Sequence, residues 1–275
     1  MKFGEFLKIG NIWWGVFQSI FIILVYVFIK DWNSLSTLIV LQAFFLGIPI
    51  SFVVSSINDI FDYDYDKLNE KKAESVNLFS RQDIRKDSIL LSIIFLLATI
   101  IITLFTKNIQ NILLVFFVIF LGIFYSIPPL RFKSIPFLDF LIVPAGHLSL
   151  FLIAYSYIAD IWTAPFLAYS ILAIASIIAL QLQILDYDSD KKSKQTTTAT
   201  FLGKTNTKFF ILLLLFVNFL IFFRANIFVF AYLIGFLMLN LICFVKEKKI
   251  IFFIQFGHFI ILIILLLIYW IWPIS

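Results

Sequence analysis

Nine stretches of this chain are apolar for about as long as a bilayer crossing requires, and no other feature limits its fold so strongly. They run roughly over 12–29, 36–57, 88–106, 110–127, 137–159, 161–185, 209–223, 226–245 and 250–272. A helix rises about 1.5 Å per residue and the hydrocarbon layer is about 30 Å thick, so about 20 apolar residues span it. In that layer every backbone N–H and C=O must be satisfied within the protein, and runs of this length satisfy them as helices. The apolar share is 62% and the charged share 13% of 275 residues, against about 45–50% apolar in soluble domains. A soluble enzyme, a disordered chain and a disulfide scaffold are thereby excluded. The one cysteine, Cys243, lies in an apolar run and has no intrachain partner. The first run is too long for a signal peptide and is followed by no small-residue cleavage site. The expectation is an all-α integral membrane protein, a nine-helix transmembrane bundle in one polytopic domain over 1–275. Only a few polar residues part the third and fourth runs, so eight spans is the alternative count.

Charge placement orients the bundle. Eighteen of the 21 Lys and Arg fall before the first run or in the even-numbered loops, and only Lys30, Lys107 and Arg224 fall elsewhere. Basic loops stay cytoplasmic, which puts the N-terminus inside and the C-terminus outside. The net charge of +5 is thus a topology signal, and no nucleic-acid partner is expected. Trp13, Trp14, Trp270 and Trp272 suit the two interfaces.

The acids are distributed differently. Asp59, Asp62, Asp64 and Asp66 occupy the window NDIFDYDYD, and Asp186, Asp188 and Asp190 occupy DYDSD, each window at the cytoplasmic end of a long apolar run. Asn58, Asp62 and Asp66 are spaced by four, so on a helix they project from one face about 6 Å apart along the axis. Asp186 and Asp190 repeat that spacing. Like charges so placed destabilise a helix unless a cation compensates them, and carboxylate oxygens in this pattern suit Mg²⁺ with room for phosphate oxygens. DYDYDK at 62–67 and DYDSDK at 186–191 differ at one position. Both end outside-to-inside runs, which suggests two pseudo-equivalent halves, about 1–135 and 136–275. Solvated loop caps would explain one such cluster but not two matched ones in the most basic loops. Metals bridging a diphosphate, with Lys and Arg neutralising the remainder, would explain both.

The order Asn58-Asp59-x-x-Asp62-x-x-x-Asp66, then YSIPPLRFKS at 125–134, then Asp186-x-x-x-Asp190 resembles the motifs of the UbiA superfamily of intramembrane prenyltransferases, over essentially the whole chain. The resemblance implies a bundle around a central cavity whose cytoplasmic mouth binds a prenyl diphosphate through Mg²⁺. Asn58, Asp62, Asp66, Asp186 and Asp190 would hold the metal, with the four aspartates as the catalytic acids. Tyr125, Arg131 and Lys133 would line the diphosphate and acceptor region. Asp59 would be the extra acid after the Asn, and Asp64 and Asp188 point elsewhere on their helices. Many members carry Arg-Pro in the first helix, where this chain reads KIGNIWW, and Asn-Arg-Pro-Leu after the first motif, where it reads NEKKAESVNLFS. Lys71 or Lys72 would supply the second charge, as less preorganised phosphate clamps than Arg. The segments YSIPPLRFKSIPFLD at 125–139 and TTATFLG at 197–203 resemble the lycopene elongase branch.

The expected activity is Mg²⁺-dependent prenyl transfer from a prenyl diphosphate to a lipophilic acceptor, carotenoid-like or a quinone precursor, in a multi-pass cell-membrane protein surrounded by lipid. A membrane terpene cyclase using the same site and a cation-coupled transporter are the alternatives. Tetrapyrrole and glycerol-lipid acceptors also stay open. His147 and His258 read as hydrogen-bonded packing residues, with His147 the nearer to a helix kink at Pro144 and Gly146.

Overall fold

Within the described residues the long apolar runs form helices. A computed structural model describes residues 1–9, 12–67, 73–164, 168 and 170–222, with no β-strand among the described residues. The helices are α1 (Phe3–Ile9), α2 (Ile12–Ile29), α3 (Thr37–Phe61), α4 (Tyr63–Asp66), α5 (Ala73–Phe79), α6 (Gln82–Leu104), α7 (Ile109–Phe124), α8 (Ile142–Ser156), α9 (Ser170–Lys192), α10 (Thr198–Leu202) and α11 (Lys204–Phe222). Four of them, α2, α3, α6 and α9, are long and apolar enough to cross a membrane, and α7 and α8 are shorter apolar helices. The runs expected at 226–245 and 250–272, with Cys243, His258, Trp270 and Trp272, lie outside the described residues.

Among the boundaries that differ from the sequence pattern are those of α8 and α9. The run expected from 137 becomes helical only at Ile142, so Pro144 falls in the first turn, where a missing N–H costs no helical hydrogen bond. Pro144 therefore starts this helix and does not kink its middle, and His147 donates through Nδ1 to the Val143 carbonyl at 2.8 Å. The run expected at 161–185 divides into a 3₁₀ turn at Ile161–Thr163 and then α9, which continues past the last apolar residue to Lys192.

The chain forms two compact units, residues 1–132 with 149–164, and residues 133–148 with 165–275. Within the first unit, α2 and α3 meet at glycine. A Cβ on Gly15 would stand 2.7 Å from the Ile48 Cα, and one on Gly47 would stand 2.8 Å from the Ser19 nitrogen. Lipid tails are as apolar as leucine, so membrane helices gain association from close backbone packing, which small residues permit. The same logic sets α6. Apart from Ile84, its buried residues are Ser88, Ser92, Thr99 and Thr103, whereas Leu90, Ile93, Leu97, Ile101 and Leu104 are exposed. The helix turns its hydroxyls inward and its large apolar side chains outward, the reverse of a soluble protein.

Both ends of the first unit are pinned. Toward the start of α3, Gln42 and Asn111 exchange amide hydrogen bonds at 2.6 and 3.2 Å, and Tyr157 donates to the Gln42 Oε1 at 2.6 Å. Asn111 also donates to the Ser156 hydroxyl. Near the end of α3, Phe52 packs between Phe6 and Phe95, with ring centroids 4.9 and 5.5 Å away. Arg81 pairs with Glu5 and Asp83, each at 2.6 Å, and Lys8 pairs with Glu74 at 2.5 Å. The Glu5 carboxyl is held below its ordinary range, first by the Lys2 backbone N–H and then by Arg81.

The glycine contact is testable. Gly47→Ala should destabilise the protein by about 1–3 kcal/mol, as overpacking does, read as a lower thermal midpoint in detergent. Gly4→Ala, whose Cβ would meet nothing within 4 Å, should leave the midpoint in place.

Candidate active site

The last turn of α3 runs into α4 with its carbonyl ladder intact. The Asp62 N–H donates to the Asn58 carbonyl and the Asp66 N–H to the Asp62 carbonyl, each at 2.8 Å. Although Asp62 separates the two helices, the spacing of four therefore carries a stacked row of Asn58, Asp62 and Asp66. Asp62 and Asp66 are only 4% and 6% exposed. Asp64, between them, is exposed and pairs with Lys67 at 2.9 Å.

Burying these carboxylates costs several kcal/mol per ion unless a counter-charge is built in. Arg131 supplies one, its Nη2 donating to the Asp62 Oδ1 at 2.9 Å. Its guanidinium lies 4.2 Å from the Tyr65 ring centroid, in position for a cation–π contact. The backbone bends sharply to bring it there. Pro128–Pro129 is a cis peptide, the Arg131 N–H donates to the Ile127 carbonyl at 2.9 Å, and Arg131 has φ +33°, where L residues are strained. Its Nε is buried with no hydrogen-bond partner, so the guanidinium keeps a donor in reserve. Ser126 donates to the Asn58 Oδ1 at 3.0 Å. Tyr125 caps α7 and is half-buried.

In the second unit, α9 itself carries Asp186, Asp188 and Asp190. Asp186 and Asp190 are half-buried, while Asp188 is exposed and pairs with Lys204 at 3.1 Å. Lys191 and Lys192 close the last turn, where cations suit the helix dipole. Lys133 lies in a 3₁₀ turn, Phe132–Ser134, and is half-buried. Lys71 and Lys72 lie outside the described residues.

Sequence reasoning passed over Asp139. It is 3% exposed and accepts from Thr198 through both N–H and hydroxyl, from the Phe140 N–H, and from Gln183 Nε2 at 2.9 Å. The available signal was an acid inside the edge of an apolar run, which is expensive unless it is satisfied.

The donor chemistry of the first row suits a hard cation. Two carboxylates and one amide oxygen stand in helical register, and among the described residues no three His, Cys, Asp or Glu gather into a metal cage. Mg²⁺ commonly binds through one or two carboxylates and completes its shell with water and phosphate oxygens. The row therefore fits Mg²⁺.

The chain is similar to known proteins in sequence and in fold. The sequence profile of the UbiA prenyltransferase family matches residues 19–251. A lycopene elongase/hydratase of Haloarcula japonica is 30% identical over 171 residues, covering 60% of this chain and 55% of that protein. A probable chloroplastic homogentisate phytyltransferase 2 of Oryza sativa subsp. japonica is 29% identical over 168 residues, covering 57% and 43%. The chain thus spans about half the length of the curated relatives it matches. A UbiA homolog from Archaeoglobus fulgidus bound to GPP and Mg²⁺ shares the fold with a TM-score of 0.68 at 18% identity, over 96% of this chain and 97% of that one.

The Arg131–Asp62 pair can be weighed without any assay of turnover. Arg131→Met should cost on the order of 3 kcal/mol of stability by leaving a buried carboxylate uncompensated. Arg131→Met combined with Asp62→Asn should recover part of that loss. Denaturation of the parent, the two single variants and the double variant would measure the coupling.

Proposed function

Because the chain belongs to the UbiA prenyltransferase family, we propose that it transfers an isoprenyl chain from a prenyl diphosphate to a lipophilic acceptor, with Mg²⁺. The observation that carries this reading is the Asn58–Asp62–Asp66 row, its two carboxylates buried, with Arg131 against Asp62. It is a set of hard oxygen donors beside a cation with an unused donor. Nine spans, a cytoplasmic N-terminus and a site at the cytoplasmic face of the cell membrane complete the reading, supported by the concentration of Lys and Arg in one set of loops. The matched windows at 62–67 and 186–191 support two pseudo-equivalent halves. The partial identity to a lycopene elongase/hydratase, with the YSIPPLRFKSIPFLD and TTATFLG segments, favours a carotenoid-like acceptor over a quinone precursor.

In this mechanism Asn58, Asp62, Asp66, Asp186 and Asp190 would hold Mg²⁺. When bound, the cation neutralises the charge that grows on the diphosphate as it leaves. Arg131, Lys133, Lys71 and Lys72 take the remaining diphosphate oxygens, and Arg does so with a planar fork suited to phosphate. Tyr125 lines the acceptor side. The allylic C–O bond breaks with its electron pair leaving on the diphosphate, and an electron-rich carbon of the acceptor closes the new C–C bond and loses a proton. The apolar spans keep water from the allylic cation, which would otherwise be hydrolysed to a prenol.

Membranes containing the protein, given Mg²⁺, a panel of prenyl diphosphates and pooled lipophilic acceptors, should yield a product whose mass is the sum of the acceptor and the prenyl group less one hydrogen. A product made of the donor's carbons alone would point to cyclisation. Asp62→Asn or Asp190→Asn should lower turnover by at least about a hundredfold, consistent with the scale of losing electrostatic stabilisation, with the protein still folded. Ordinary turnover in either variant would refute the site.

A further inference from the structure

Asp139 is a buried carboxylate with no cationic partner among its hydrogen-bond donors, in a chain where every other buried acid described here carries motif spacing. Four neutral donors surround it. Two come from Thr198, one from Phe140 and one from Gln183. Gln183 completes a two-residue clamp, because its Oε1 accepts from the Ala199 N–H at 3.2 Å. The Thr198 hydroxyl closes the network by accepting from the Phe137 N–H at 2.7 Å while it donates to Asp139.

Backbone strain and aromatic packing meet at this node. Phe137 sits at φ +71°, an outlier for a bulky residue, and such strain persists only where the surroundings over-determine it. Phe137 and Phe140 pack edge-on against Phe210, and Phe137 also against Phe201. The following segment is stiffened independently by a capping box in which Thr197 and Thr200 satisfy one another's backbone N–H groups.

The position of the clamp on α9 gives it meaning. Gln183 precedes Asp186 by three residues and Asp190 by seven, so at about 100° per residue all three lie within about 60° of one helix face. Lys204, at the start of α11, meets the far side of α9 through Asp188. Resting on the prenyl-transfer reading above, we propose that Asp139 and Gln183 are positioning residues for the second aspartate motif. By tying residues 197–199 to α9 they fix the rotation of the helix about its own axis, and with it the direction in which Asp186 and Asp190 present their carboxylates. Neither residue touches the diphosphate; they act through the acids. The carboxylate is required because all four groups aimed at it donate. An Asn would turn an N–H toward one of them.

The test uses the full chain in detergent, with two readouts. Hydrogen exchange measured without Mg²⁺ reports the clamp, and Mg²⁺-dependent binding of geranyl diphosphate reports its consequence. In Asp139→Asn and Gln183→Ala the amides of 198–199 should exchange faster, and Mg²⁺-dependent affinity should fall about 10-fold, the low end of what loss of an outer-shell partner costs. Thr198→Val should behave likewise, and Thr198→Ser, which keeps the hydroxyl, should restore both readouts. Faster exchange with unchanged affinity would overturn the positioning role and leave Asp139 a structural residue. Unchanged exchange would overturn the clamp itself. A parent chain that binds no geranyl diphosphate with Mg²⁺ would overturn the prenyl-transfer reading, and this inference with it.

Discussion

A carboxylate taken out of water must be given either a counter-charge or a complete set of donors, and much of this structure is arranged around that requirement. Three aspartates are nearly inaccessible, Asp62, Asp66 and Asp139. Two solutions are visible. Asp62 receives a guanidinium, held by a strained, cis-proline-containing turn. Asp139 receives four neutral donors drawn from three segments. The difference is chemical as well as geometrical. A cation can be exchanged for another cation, whereas a carboxylate saturated by fixed N–H and O–H groups is committed to structure.

The bundle that carries these groups coheres by rules suited to lipid. Apolar surface contributes little to helix association where the solvent is itself apolar, so close approach and buried polar contacts take over. Gly15, Ser19 and Gly47 let two helices touch backbone to backbone, α6 buries hydroxyls and exposes leucine and isoleucine, and Gln42 and Asn111 join three helices through paired amides. This leaves a scaffold whose outward face is greasy and whose sparse charge is gathered near the ends of helices.

Much of the fold and of the candidate site could be read before any coordinates. Long apolar runs announced helices because backbone hydrogen bonding in lipid leaves few other options. The spacing of four predicted that Asn58, Asp62 and Asp66 would line up, and the backbone ladder through Asp62 keeps them so. Asp64 and Asp188, off that spacing, lie at the surface with lysines. Periodicity misplaced the start of α8, since a turn rich in Ile, Phe and Leu is as apolar as a helix and only the placement of Pro144 distinguishes them. It also overlooked Asp139, whose partners Gln183 and Thr198 lie far along the chain and make no local pattern.

What the sequence determined by itself was an all-helical chain of long apolar runs, and the spacing of four that lines up Asn58, Asp62 and Asp66. These are one-dimensional properties, carried by composition and by the period of a helix. Only the tertiary structure decided that Arg131 stands on Asp62, that Ser126 reaches Asn58, and that Asp139 closes on Thr198 and Gln183. Each of these is a contact between residues dozens of positions apart, fixed by how strained turns and close-packed helices fold back on themselves.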